Sequence, residues 1–212
     1  DVQRFQLDRH GTAIAGIIAA NADNGVGIVG IAPEARILAL KACWQLQPDR
    51  DDARCNSYTL AQALSAAIEL KARVINLSLS GPPDALLAAL ATQAVRAGII
   101  IVGSQSDGPS FPGSLEHVLS VGRSEDARVA SGVLQAPGRE VLTLAPGGRY
   151  DFYSGSSIST GEISGVTALM IALRSGLDAH QAQALLSKAT ETTESPAGPV
   201  RSVNACMALA AL

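Results

Sequence analysis

The alternation of strand-like and helix-like segments predicts an α/β fold in three layers, a mostly parallel β-sheet with helices on both faces. Three observations carry that expectation. The run Ile99-Ile100-Ile101-Val102 is apolar and β-branched throughout, the pattern of a strand buried on both faces of a parallel sheet. Residues 58–72 place Leu60, Ala63, Leu64, Ala67 and Ile68 on one helical face, directly before the apolar segment Val74-Ile75-Asn76-Leu77-Ser78. The stretch from Ser156 to Ser175 is apolar nearly all round, which marks a central helix.

The remaining elements follow in order. Residues 10–20 read as a small-residue helix with Asp8 as its cap. Gly25 to Ala32 carries alternating apolar residues and stops at Pro33, and Arg36 to Cys43 reads as a strand. Asp84 caps a helix that runs to Ala97 and ends at Gly98. Val118 to Gly122 and Val141 to Leu144 are further strands, with Tyr150 to Tyr153 as a hairpin arm. After the central helix, Asp178 with Gln181 makes a capping-box start for a helix to about Lys188. A last helix covers Val203 to Leu212, and Cys206 within it reads as a small core residue. With no repeat, low-complexity tract or linker, residues 1–212 form one expected domain.

Composition narrows the function classes. At 212 residues and 47% hydrophobic, the chain can bury a substantial core. A net charge of −3, 17% charged residues, 3% aromatics and no Lys/Arg cluster argue against a nucleic-acid surface. The apolar run Val166 to Leu173 is too short to span a bilayer, so no membrane span is expected. A chain that opens at Asp1 without a leader reads as a mature or excised piece. Cys43 and Cys55 flank a polar loop holding Pro48, Asp49, Arg50, Asp51 and Asp52. They form either a loop-closing disulfide, which suits an exported protein, or two buried thiols.

Two segments carry chemistry. His10-Gly11-Thr12 opens the first helix, and Ser154-Gly155-Ser156-Ser157 opens the central one. A serine hydroxyl is a weak nucleophile until a base takes its proton, and an imidazole titrating near pH 6.5 suits that task. A helix N-terminus adds positive partial charge where an oxyanion develops. The plain alternative makes Ser156, Ser157 and Ser159 helix caps. His117 and His180 lack any such motif; His180 reads as an exposed helix residue and His117 as a loop or strand-start residue.

The run from His10 to Ala20 resembles the histidine motif of the subtilisin-like serine proteases, the subtilases. So does the continuation from Asn24 to Pro33, the segment Val74 to Leu79, Phe111-Pro112-Gly113, Ala145-Pro146-Gly147, and the run into Ser157. The matches keep the family's order over nearly the whole chain. The resemblance implies a subtilisin-like fold with its first strand missing and a serine endopeptidase that works through an acyl-enzyme. Ser157 is then the nucleophile and His10 the base. A peptide substrate would add as a strand alongside Leu77, Ser78, Leu79 and Ser80 and near Ile101 to Ser104, with Phe111 and Pro112 walling the S1 pocket. The family also implies a secreted, periplasmic or cell-envelope location.

Several departures matter. Subtilases carry an Asp in an Asp-Ser/Thr-Gly segment well upstream of the histidine, and neither tripeptide occurs here. The expectation is an N-terminal segment outside this chain that supplies the catalytic Asp. The alternative is a catalytically inactive subtilase-like domain, a pseudoprotease that binds peptide or protein. The family's oxyanion Asn is replaced within Gly103 to Gly108, where Gln105 or Ser106 takes its place. Gly161-Glu162 stands where Pro-His is common, and Glu162 is expected to sit favourably at the helix's positive end. Ala13 replaces a second histidine, and Ser80 stands where Gly is common, narrowing the S1 entrance. The loop Asn21-Ala22-Asp23-Asn24-Gly25 resembles a calcium loop, but one carboxylate and two amides are few for a cation that takes about six to eight oxygens. An ordinary turn is expected there, and the mechanism requires no metal or cofactor.

Overall fold

Helix α1 (Arg9–Ala19) is followed by a short ladder, β1 (Cys43–Gln45) and β2 (Ala53–Cys55). Then come α2 (Ser57–Glu69), β3 (Val74–Leu77), α3 (Ala85–Arg96), β4 (Ile100–Ser104), β5 (Val118–Arg123) and β6 (Leu134–Ala136). The hairpin β7 (Val141–Ala145) and β8 (Arg149–Tyr153) leads into α4 (Ser156–Leu173) and α5 (Ala179–Lys188). A second hairpin, β9 (Thr190–Ser195) and β10 (Gly198–Val203), precedes α6 (Ala205–Ala210). This computed structural model describes residues 8–45, 53–126, 129–195 and 198–212. The loop residues 48–52 lie outside that set.

The central sheet has the order β3-β4-β5-β6, all parallel. Its layers follow from β4, where successive side chains point to opposite faces. Ile100 and Val102 pack with Ile163, Val166 and Met170 of α4 and with α5 and α6. Ile101 packs on the other face with Leu60 and Leu64 of α2 and Leu87 and Ala91 of α3. None of these three strand residues is more than 1% exposed. Each such side chain contributes about 1.5–3 kcal/mol of transfer free energy. Helix α4 is long and apolar enough by composition to cross a membrane, but 61% of it is buried in the fold as the central helix. Gly165 lets the segment at Ile31 reach it: a Cβ there would lie 2.8 Å from the Ile31 Cβ.

The caps of α3 and α5 are as the sequence predicts. Asp84 accepts from the backbone N–H of Leu86 and Leu87 at 2.9 and 3.0 Å, and Asp178 with Gln181 forms a complete capping box. Asp8 is different. Its carboxylate pairs with Lys41 Nζ at 2.6 Å and makes no cap, so α1 starts from the backbone carbonyl, which accepts from Thr12. A cation delivered by a distant segment outcompetes a neutral N–H.

Arg36 to Cys43 does not form the expected strand; only Cys43 enters a ladder, in β1. Ile37, Leu38 and Leu40 are 45, 50 and 38% exposed. Apolar sequence makes a strand only where a neighbour accepts its backbone hydrogen bonds, and residues 36–42 have no ladder partner among the described residues. Gly25 to Ala32 is a loop that folds back on α1, where the N–H groups of Gly30, Ile31 and Ala32 satisfy the terminal carbonyls of Ala20, Ile17 and Ile18. Cys206 is exposed rather than core, on a face of α6 that no element covers among the described residues. The β9–β10 hairpin and β6 had no clear sequence signal, because Thr-Glu-Thr-Thr-Glu-Ser shows no apolar alternation.

Cys43 and Cys55 are bonded, and they face each other in the β1–β2 register. With a sequence separation of 12, removing the bridge is expected to lower stability by about 3 kcal/mol. Urea unfolding of the Cys43→Ser/Cys55→Ser variant measures this; an unchanged midpoint rules out a stabilising role for the bridge.

Candidate active site

The candidate site lies where α1 packs on α4. Ala13, Ile14 and Ile17 of α1 share one buried cluster with Ile158 of α4 and Tyr153 of β8. Gly161 faces Ile14 and Ile17, leaving ordinary contact distance between the helices. His10 and Ser157, each in the opening turn of its helix, are both partly buried.

The turn into Ser157 depends on its glycine. Gly155 is the N-cap of α4 with φ 151°, a conformation that favours glycine, and a Cβ on it would lie 3.2 Å from Ser157 Oγ. No side chain caps α4, and of its first-turn N–H groups that of Ile158 is taken by the Gly155 carbonyl at 3.0 Å. The turn is tied to the sheet by hydroxyls. Ser78 Oγ donates to the Ser157 carbonyl at 2.8 Å, and Ser104 Oγ and Thr160 Oγ1 are 2.9 Å apart. Asn76, the polar residue of β3, reaches Ser164 Oγ of α4 at 2.9 Å.

The substrate-strand residues are placed as follows. Leu77 is buried in the α2/α3 layer and Leu79 packs against it, Ser78 is turned to Ser157, and Ser80 is exposed. Gly81 and Phe111 exchange two backbone hydrogen bonds of 3.0 Å, which joins the segment after Ser80 to the Phe111-Pro112 wall. The Phe111 ring is 2% exposed and belongs to the core, and Pro112, also buried, abuts Gly103. Ile101 to Gly103 are paired on both sides within β4, and Ser104, its last residue, pairs with β5 alone.

Gln105 Oε1 accepts from Ser120 Oγ at 2.7 Å, and its Nε2 donates to the Ser106 carbonyl at 2.9 Å. Its amide is thus engaged on β5, while Ser106 is partly buried beside it. A cavity of about 250 Å³ at Gln105 and Ser106 is lined by neither His10 nor Ser157. Glu162 does not keep its charge at the helix terminus. Burial, and then the nearby Glu125, raise its pKa to about 8, so desolvation outweighs the helix dipole and the group is protonated at neutral pH.

In the Asn21–Gly25 loop, Asn24 Oδ1 accepts from Val26 N–H at 2.9 Å and Asp23 has φ 56°, an Asx-type turn. Among the described residues, no group of three or more His, Cys, Asp or Glu is gathered for a metal.

The profile of the Subtilase family (peptidase S8) matches residues 4–203. This chain is a subtilase. An intracellular serine protease of Paenibacillus polymyxa is 35% identical over 179 residues, covering 76% of this chain and 53% of that protein. The major intracellular serine protease of Bacillus subtilis is 32% identical over 179 residues, covering 76% and 54%. The subtilase chain thus spans about half the length of these curated relatives. A solved protease from Pseudoalteromonas arctica superposes with a TM-score of 0.81 at 21% identity over 95% of this chain and 70% of that one, which shows the shared three-layer fold. The ties through Ser78, Ser104 and Thr160 were not legible in the sequence, because isolated hydroxyl residues on separate elements carry no periodic signal.

Proposed function

We propose that this subtilase chain carries the nucleophile and base of a serine endopeptidase. The observation that supports it most is the packing of α1 on α4, through Ala13, Ile14 and Ile17 against Ile158 and Gly161, since His10 and Ser157 stand in the opening turns of these two helices. In this mechanism Ser157 Oγ attacks the scissile carbonyl as its proton passes to His10. The C–N bond breaks as His10 protonates the leaving amine, and water, deprotonated by His10, releases the acyl group. The first-turn N–H groups of α4 hold the oxyanion, with Gln105 or Ser106 beside them. The peptide lies in extended form along Leu77 to Ser80; Phe111 and Pro112, both buried, support this segment from within through the Gly81–Phe111 backbone pair rather than walling the peptide. No cofactor takes part in this chemistry.

The carboxylate that orients His10 comes from a segment outside the 212 residues. Two features support that source. The outer edge of β3 has no strand beside it among the described residues, and Ile37, Leu38 and Leu40 are exposed in the stretch leading to Ala42, which packs with Ile75 and Leu77. An added strand would cover apolar surface and pair the open edge. The Cys43–Cys55 bridge supports an oxidising compartment, and hence export, although both relatives above are named as intracellular.

A second reading, a peptide-binding subtilase without catalysis, is favoured by the engagement of the Gln105 amide with Ser120. Labelling with a fluorophosphonate probe separates the two. Labelling that maps to Ser157 and vanishes in Ser157→Ala supports the protease; a folded but unlabelled full-length protein supports the binding domain.

A further inference from the structure

The nucleophile turn is held from behind by a strap that no catalytic motif includes. Gly138 N–H is bonded to both carboxylate oxygens of Glu125, each at 3.1 Å. Gly138 O in turn accepts from Gly155 N–H at 2.8 Å. The strap grips the far side of the turn as well. Ser159 Oγ donates to the carbonyls of Ala136 and Pro137 at 2.9 and 3.0 Å, and Glu140 N–H donates to Ser154 Oγ at 2.8 Å. Residues 136–140 therefore contact the chain both before and after Ser157. No side chain fits at Gly138, where a Cβ would lie 2.5 Å from Ser159 Oγ and 2.6 Å from Arg123 Cγ.

Glu125 is where the strap meets a charge. It follows β5, whose last residue Arg123 is paired with Ala136 of β6, and Ser124 N–H continues the ladder to the Ala136 carbonyl at 2.9 Å. The sheet thus sets the position of Glu125, and Glu125 sets the plane of the Gly138 peptide. A hydrogen bond from a neutral N–H to a carboxylate is stronger than one between neutral groups; it polarises the Pro137–Gly138 peptide, whose carbonyl accepts from Ser159 Oγ, and by fixing Gly138 it holds the next carbonyl, which Gly155 uses. Neighbouring groups fit this use: Arg123 pairs with Asp126, and Glu162 of α4 faces Glu125.

We propose that Glu125 is a positioning residue for Ser157, acting through Gly138 to hold Gly155, the N-cap that aims the nucleophile and the first-turn N–H groups of α4. The proposal rests on the protease reading only in taking Ser157 as the nucleophile; the clamp itself has its own observable. Two measurements on full-length protein test it, with Glu125→Ala and the conservative Glu125→Gln. The first is amide hydrogen exchange over residues 153–158, with residues 166–173 of the same helix as reference. In Glu125→Ala, exchange at the N-cap is expected to speed up about tenfold while the reference is unchanged, and Gln, which keeps one acceptor oxygen, is expected to restore most of the protection. The second is fluorophosphonate labelling, in which the maximal rate is expected to fall about tenfold in Glu125→Ala, with the probe's half-saturation concentration unchanged and partial rescue by Gln.

Unchanged exchange at 153–158 overturns the proposal, as does faster exchange with no loss of labelling rate. Exchange that rises equally at the reference segment also overturns it, since that is general loosening. If wild-type protein does not label at all, the protease reading fails separately, and the exchange result alone decides the clamp.

Discussion

Labelling of Ser157 is expected to be about 10⁴-fold faster in a full-length protein that includes the upstream carboxylate segment than in the 212-residue chain. In subtilisin the loss of that aspartate alone lowers kcat by about 3 × 10⁴-fold, because the imidazole loses both its tautomer lock and its charge partner. The carboxylates close to α1 in this chain are engaged elsewhere. Asp8 is paired with Lys41 at 2.6 Å and Asp151 with Arg9 at 2.9 Å, so using either would break an existing ion pair. On the proposed reading such a segment docks at the outer edge of β3, which has no strand beside it among the described residues, next to the exposed stretch from Ile37 to Leu40. Hydrogen exchange of residues 36–42 in the two forms checks that placement, since a docked strand protects them. Equal labelling rates in both forms would show that the segment does not supply the missing carboxylate.

Glu162→Gln is expected to stabilise the protein at alkaline pH and to leave it nearly unchanged in acid. The folded-state pKa is raised to about 8 from the ordinary 4.5, chiefly by burial and then by Glu125. Below about pH 4.5 both folded and unfolded chains carry the proton, and the group adds no pH slope. Between there and about pH 8 the unfolded chain has released the proton while the folded one keeps it, so the folded state binds more protons and stability falls as pH rises. Above pH 8 both forms are ionised and the penalty is constant, on the order of a few kcal/mol. Gln has the same shape and no charge to desolvate, so the penalty disappears. Urea unfolding of wild type and variant at pH 4.5 and 8.5 reads the difference directly. A gain of equal size at both pH values would mean that packing, and not ionisation, distinguishes the two side chains. The protonated Glu162 at neutral pH also keeps a negative charge away from the Ser157 turn at the start of α4.

The two helix starts of the candidate site were legible in the sequence. His10-Gly11-Thr12 and Gly155-Ser156-Ser157 are contiguous motifs at helix starts, and a helix start is written locally. Gln105 was legible as a residue in the right loop, but its orientation was not, because the partner that turns the amide, Ser120, lies on the next strand. Glu162 was read as a charge favoured by a helix dipole, and burial reversed that reading. Glu125 and Gly138 had no signal at all: one acid after a strand and one glycine in a loop matter only once β5, the strap and α4 are assembled.

The sequence by itself determined the layers, the caps of α3 and α5, the central helix and the order of the motifs, since side-chain periodicity and capping act within a few residues. Only the tertiary structure decided that Asp8 serves Lys41 rather than α1, that Ile37 to Leu40 stand without a ladder, that Phe111 turns into the core, and that Cys43 joins Cys55. Each of these outcomes is a competition among partners distant along the chain. The winner is set by which groups the packed sheet brings within hydrogen-bonding or van der Waals reach, and no local pattern encodes that distance.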